Sequence, residues 1–460
     1  MRPTQWRRST HVVIGVAVLL VVVGVVAVAA VRTNGNSTSN AKAAKPAPPA
    51  ATADPGIVPV DASATKPTPD RLAATLAPLV ADPNLGAMTG RITDAISGAQ
   101  LWAQGADVPM QPASTNKVLT TAAALLTLDR DARLTTRVLN GDQPGVVVLK
   151  GGGDPTVSAT PPGQQTWYRD AARISDLADQ VRRSGTKVTA VQVDISAFSG
   201  PAMAPGWDPA DIDEGDVAPM EAVMLDGGRT QPVSVDSARS TTPALDAGRA
   251  LAVALNVDPT RVTVLPAGSR GGQEIASVSS PPLIERLRQM MNESDNVMAE
   301  SIGRELAAQL NRPQSFDGAV QAVLGQLDSA KIDTGGAHLL DSSGLSVDDR
   351  LTAVTLDGVV NAAAGSDQPK LRPLLDVLPI AGGSGTLSNR YLDTDAGRSA
   401  LGYLRAKTGS LTGTNALAGV VTDSSGRVLT FAFISNNAGP TGRTAIDALA
   451  AVLRSCGCST

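Results

Sequence analysis

The chain has 460 residues, 42% of them hydrophobic, which is enough for two or three domains with cores of their own. A formal net charge of −4 and an aromatic content of 2% provide neither the basic footprint nor the stacking platforms of nucleic-acid binding, so nucleic acid is excluded as a partner. The two cysteines, Cys456 and Cys458, sit at the extreme C-terminus; a disulfide between them would be strained, and they are given no role.

In chain order, the first element is Val12 to Val31, "VVIGVAVLLVVVGVVAVAAV", which carries no charge and is long enough to cross a bilayer as a helix. Arg2, Arg7 and Arg8 precede it and Arg32 follows, which keeps the amino end in the cytoplasm. A signal peptide cut near Ala27–Ala30 is the alternative, but the apolar run is longer than a usual signal core and favours an uncleaved anchor. Either way, the rest of the chain is expected outside the cytoplasm. Residues 1–32 are read as cytoplasmic tip and anchor or signal. Residues 33–68, rich in Ala, Pro, Thr and Ser, are read as an extended tether.

A helix is predicted over Pro69–Val80, then two strands within 88–105 that turn at Ser97-Gly98. In "QPASTNKVLTTAAALLTL", residues 111–128, an apolar stripe of Val118, Leu119, Ala122, Leu125 and Leu126 predicts a buried helix beginning near Ser114. Ser114 and Lys117, three residues apart, then share one face of its first turn. The middle, 140–285, alternates on its own. A strand is predicted at Val146–Leu149, a helix at Tyr168–Arg183, a strand at Val188–Val193 and a helix at Leu245–Leu255. "MNESDNVMAESIGREL" (291–306) places Ser294 and Asn296 at the entrance to a further helix. Lys407, Thr408 and Gly409 fall on a strand just before an apolar hairpin, 416–437, that turns at Asp423–Gly426. An amphipathic helix at 441–455 closes the chain. First and last segments both read as sheet plus covering helix, which predicts an α+β domain built from 69–139 and 286–460, with 140–285 inserted.

A serine hydroxyl is a poor nucleophile until a base removes its proton, and a lysine amine serves only when its pKa is lowered by burial or a neighbouring cation. Lys407 is the natural neighbour for Lys117. A Ser-x-x-Lys alone is a weak signal, but three motifs in order, each on a fitting element, are not expected by chance. A Ser-His-Asp triad would depend on His338, since His11 adjoins the apolar segment, and no G-x-S-x-G elbow accompanies it. No H-E-x-x-H is present, so zinc peptidase chemistry is excluded.

S-T-N-K at 114–117, S-D-N at 294–296 and K-T-G at 407–409 resemble the three motifs of penicillin-binding proteins and serine β-lactamases. "GGGDPTVS" (151–158), "DSSGLS" (341–346), "GTLSNR" (385–390) and the long gap from Lys117 to Ser294 narrow the resemblance. They point to the low-molecular-mass class C penicillin-binding proteins, D-alanyl-D-alanine carboxypeptidases and endopeptidases. The resemblance covers the chain from about residue 69. It implies a transpeptidase-like fold, an antiparallel sheet between helices, with a large inserted region.

It also implies roles. Ser114 attacks the carbonyl between two D-alanines, Lys117 is its base, Ser294 relays the proton to the leaving amine, and Asn296 holds a substrate amide and orients Lys117. Lys407, Thr408 and Ser410 receive the terminal carboxylate beside Gly409, and the backbone N–H groups of Ser114 and Ser410 form the oxyanion hole, a contact worth about 3 kcal/mol. Asp194, in "VQVDISAF" with Phe198, is either a contact for the free amine of the stem-peptide diamino acid or an ordinary strand-end aspartate. Peptidoglycan stem peptides are the implied substrates and β-lactam antibiotics covalent inhibitors. No cofactor or metal is implied.

A β-lactamase is the rival enzyme, but "ESIGRELAAQLNRPQ" lacks the E-x-x-L-N spacing that activates the hydrolytic water in class A enzymes, so slow deacylation is expected. An inactive wall-binding protein is the rival of a different class, and the intact base argues against it.

Overall fold

The computed structural model describes residues 62–265 and 271–455. Among these, no helix is long and apolar enough to cross a membrane. Val12–Val31, the tether as far as residue 61, His11, Cys456 and Cys458 lie outside the described residues.

The first sheet contains strands from both ends of the chain: β1 (Ala87–Asp94), β2 (Gln100–Gln104), β8 (Leu404–Leu411), β9 (Thr414–Thr422) and β10 (Val428–Asn436). Their order is β2-β1-β10-β9-β8, antiparallel throughout. Successive side chains on a strand point to opposite faces, and β10 is apolar on both. Phe431 and Phe433 pack with Leu72 and Leu76 of α1 (Pro69–Val80) and with Ile446 and Leu449 of the last helix, Gly442–Ser455. Ala432 and Ile434 face the other way, toward Val118 and Leu119 of α2 (Lys117–Thr127) and Val359 and Val360 of the helix Ala353–Ala364. The expected antiparallel sheet between helices is present.

The second sheet has the order β6-β5-β4-β3-β7, formed by β3 (Thr135–Asn140), β4 (Val146–Lys150), β5 (Ala190–Asp194), β6 (Thr263–Val264) and β7 (Glu274–Ser279). Pairs β4–β5 and β5–β6 are parallel and the rest antiparallel. A parallel pair needs a crossover, supplied here by α3 (Ile174–Arg183) and α4 (Pro243–Ala254). Val147, Leu149, Val191 and Val193 bury against Leu177, Val181 and Leu251, a core separate from the first sheet's. This sheet starts at Thr135, a few residues before the expected insertion at 140, because β3 pairs with β4 and β7. Helix α3 starts at Ile174 rather than Tyr168. Tyr168 instead lies in the segment leading to it, fully buried.

Two consecutive helices complete the frame around the site: α5 (Leu283–Glu293) and α6 (Asn296–Gln309). Ser294 ends α5 in the left-handed conformation (φ 57°), and the Asp295 carboxylate caps α6 by accepting the Met298 N–H at 2.9 Å. The remaining long helices are α7 (Phe316–Ser329), α8 (Ala353–Ala364) and α9 (Gly442–Ser455).

Candidate active site

Ser114 lies in a 3-10 turn, Ala113–Asn116, that runs directly into α2. Two glycines let neighbouring backbone close on this turn. A Cβ at Gly409 of β8 would stand 2.6 Å from the Pro112 carbonyl oxygen. A Cβ at Gly344 would stand 2.0 Å from the Ala113 oxygen, at a φ of 79° that side chains other than hydrogen rarely adopt. Ala113 itself sits at φ 47°, an unusual conformation for a non-glycine residue, in the position just before Ser114.

Lys117 is the first residue of α2 and is fully buried. Its Nζ lies 2.9 Å from Ser114 Oγ, 2.6 Å from Asn296 Oδ1 and 2.8 Å from the Ser343 carbonyl oxygen. Burial pulls the amine from its usual range down to about 8, against the opposing charges of Asp341, Asp295, Glu300 and Asp216. A neutral amine has two N–H bonds and one lone pair. The Asn296 and Ser343 oxygens accept the two N–H bonds, which leaves the lone pair facing the Ser114 hydroxyl.

The other two motifs meet this pair from distant parts of the chain. Asn296 Nδ2 donates to the Asp216 carbonyl oxygen at 3.1 Å, which fixes which end of its amide faces Lys117. Lys407, also fully buried, donates to Ser294 Oγ and to its neighbour's carbonyl oxygen on Thr408, both at 2.9 Å. Burial, then the charges of Lys117 and Arg390, hold its amine well below the usual lysine range. Thr408 Oγ1 donates to Thr386 Oγ1 at 2.8 Å.

A buried polar network holds the Ser343 carbonyl in place. The Asp341 carboxylate accepts the N–H groups of Ser343, Gly344 and Ser346 and the Trp207 indole N–H, curling 341–346 into a tight loop. Thr120 Oγ1 donates to the Ser342 oxygen at 2.6 Å, and Glu300 accepts the Ser342 N–H at 2.9 Å. Burial and the Asp341 charge push Glu300 up to about 7. Tyr168 donates its hydroxyl to Asp295 Oδ2 at 2.7 Å, the reason that residue leaves the helix expected for it.

Ser114, Ser294, Asn296, Thr408 and Ser410 line one cleft of about 380 Å³. Lys117, Lys407 and Gly409 are not among its lining residues; both lysines are buried directly behind the Ser114 and Ser294 hydroxyls that line it. Asp216, Glu293, Arg390 and Arg443 also line the cleft, and the sequence reading singled out none of them. Asp194 does not join the cleft. It is buried at the end of β5, where it accepts the Ser196 N–H at 2.8 Å and pairs at 3.1 Å with Lys150, its register partner on β4. Phe198 packs beside Gly153 and Arg304. His338 is exposed, its backbone bridged to Arg350, away from this constellation. Among the described residues, Asp211, Glu214 and Asp216 bring carboxylate oxygens within 4.8 Å of one another, but Glu214 and Asp216 are exposed and nothing further marks a cation site.

Sheet, covering helices and buried Ser–Lys pair define a serine hydrolase of the penicillin-binding-protein and serine β-lactamase fold. The crystal structure of penicillin-binding protein 4 from Haemophilus influenzae superposes with a TM-score of 0.67 at 24% identity, covering 84% of this chain and 98% of that one. Residues 72–238 and 231–455 match the D-Ala-D-Ala carboxypeptidase 3 (S13) family, and the chain belongs to that family. Residues 1–59 match the family described as Carboxypeptidase Rv3627c-like, N-terminal domain. Carboxypeptidase DacB of Mycolicibacterium smegmatis is 74% identical over 459 residues, and Carboxypeptidase Rv3627c of Mycobacterium tuberculosis 63% identical over 462, each alignment covering 100% of both chains.

Proposed function

We propose that this carboxypeptidase removes the terminal D-alanine from peptidoglycan stem peptides through an acyl-enzyme on Ser114. The observation that carries the reading is the buried Lys117 amine, 2.9 Å from Ser114 Oγ and otherwise occupied by two acceptor oxygens. Lys117 accepts the Ser114 proton as Oγ attacks the carbonyl between the two D-alanines. Asn296 holds the substrate amide while keeping Lys117 oriented. Ser294, bonded to Lys407, relays the proton to the amine nitrogen as the carbon–nitrogen bond breaks and D-alanine leaves. Water then hydrolyses the Ser114 ester. Thr408 and Ser410 present hydroxyls to the substrate's terminal carboxylate, and Gly409 keeps their strand tight against the nucleophile's turn. Lys407 acts through Ser294 rather than by direct contact.

β-Lactams enter by the same acylation, and the lack of an E-x-x-L-N spacing after the second motif supports slow hydrolysis of their ester. The uncharged run Val12–Val31 behind Arg2, Arg7 and Arg8 supports an extracytoplasmic enzyme tethered to the membrane by its amino end. The second sheet, with its own core, supports reading the middle of the chain as an inserted module.

The test is intact-protein mass after mixing residues 62–460 with benzylpenicillin, beside Ser114→Ala. One stable penicilloyl adduct on the parent and none on the variant is expected. Disappearance of the antibiotic without an adduct would point to a β-lactamase instead.

A further inference from the structure

Carboxylate recognition at this site lacks an obvious cation. The lysine of the third motif is buried behind Thr408 and commits its amine to Ser294 Oγ and the Thr408 carbonyl oxygen. It does not line the cleft. Its depressed basicity further weakens it as a fixed positive charge. Two arginines do line the cleft. Arg390 is engaged, with Nε 2.8 Å from Asp447 Oδ2 and Nη2 bonded to Asp447 Oδ1. Arg443, one helical turn before Asp447 on α9, is exposed and has no hydrogen bond or ion pair among the described residues. Its guanidinium is the one cleft cation without a protein acceptor among the described residues. The cleft it borders also presents the Thr408 and Ser410 hydroxyls.

We propose that Arg443 is a specificity-determining residue that receives the free carboxylate of the substrate's C-terminal D-alanine. The Asp447–Arg390 pair holds the neighbouring arginine aside and leaves Arg443 as the open fork. A planar guanidinium suits a carboxylate through two parallel N–H bonds, with the threonine and serine hydroxyls completing its shell. A substrate whose C-terminus is amidated, or extended through a neutral group, forfeits that contact. Arg443 thus sets a preference for free ends over blocked ones. This inference rests on the peptidase reading above.

The experiment compares kcat/KM for a diacetyl-L-lysyl-D-alanyl-D-alanine peptide with that for its C-terminal carboxamide, in the parent, R443A and R443K. The parent is expected to prefer the acid, and R443A to lose that preference by roughly 10- to 100-fold, the range of a charge-assisted pair. R443K should restore part of it. An unchanged acid-to-amide ratio in R443A, even with both rates lowered, overturns the proposal, because a merely structural arginine affects both peptides alike. If R443A does not fold, as judged by penicilloylation of Ser114, the parent still decides. Its acid preference should fall as salt rises from 0.02 to 0.5 M, since exposed charges are screened. A preference independent of salt overturns the proposal. A parent inactive on both peptides would count against the peptidase reading itself, a result distinct from either.

Discussion

The base proposed for Ser114 is a Lys117 amine that is fully buried and touches only the Ser114, Asn296 and Ser343 oxygens. With its pKa drawn down to about 8, the neutral form grows as pH rises through that value. The second-order rate of penicilloylation should therefore climb with pH to a plateau above about 8. Stopped-flow acylation across pH 6–10 reads this directly, and a flat profile would remove Lys117 as the base. Lys117→Met should slow acylation by about 100-fold or more, the usual contribution of a general base. Lys117→Arg should fare no better, since a guanidinium stays charged. The residues of the three motifs were legible because each motif is a short run on one element. Asp216, Glu293 and Arg443 were not, because nothing in their local sequence says that three remote segments converge on one cleft. The Lys150 partner of Asp194 was hidden for a related reason. Sequence shows a strand-end acid, whereas the parallel register that sets Lys150 beside it is a property of the folded sheet.

Among the elements, the loop 341–346 leaves little room for substitution. Gly344 combines a φ of 79° with a carbonyl oxygen 2.0 Å from where a Cβ would stand. Gly344→Ala should destabilise the protein by about 1–3 kcal/mol through backbone strain and displace the Ala113–Asn116 turn. Thermal unfolding and acylation rate should fall together. An unaltered acylation rate would mean that the turn does not depend on this contact. The motif "DSSGLS" was visible in the sequence, but its physical task was not. Delivering the Ser343 carbonyl to Lys117 depends on Asp341 gathering three backbone N–H groups. Long amphipathic or apolar elements, such as Pro69–Val80 and the hairpin of β9 and β10, were legible nearly to the residue. Helix α3 was over-extended toward Tyr168 because periodicity does not register that an aromatic hydroxyl is claimed by Asp295 on another helix.

Over the whole molecule, Arg427 joins regions that are far apart in sequence. It forms a two-point pair with Asp94, at 2.7 and 2.6 Å, and donates to the Ala62 carbonyl oxygen at 2.8 Å. Although burial pushes the Asp94 carboxyl up, bonds from Arg427 and Ser97 outweigh it and hold the group down at about 2. A carboxyl held below its unfolded value of about 4 stabilises the fold above that pH and loses its contribution as pH falls from about 4 to about 2. Arg427→Ala, which strands the buried carboxylate, should cost about 3 kcal/mol at pH 7 by urea unfolding. The gap from the parent should narrow near pH 2, and a gap independent of pH would show that the pair contributes nothing. The union of both chain ends in one sheet was readable from matching strand-and-helix patterns. The mixed pairing of the second sheet was not, since buried strands look alike whichever way their neighbours run.

The sheet order β2-β1-β10-β9-β8 has a consequence for biosynthesis. The strand carrying Lys407 and Thr408 is hydrogen-bonded to β1 only by way of β9 and β10, the last strands to be made. A nascent or C-terminally clipped chain thus carries Ser114 and Lys117 without the strand of Lys407 and Thr408 held in the sheet beside them. Labelling with a fluorescent penicillin should count finished molecules alone, whereas an antibody against the amino-terminal half would count unfinished ones as well.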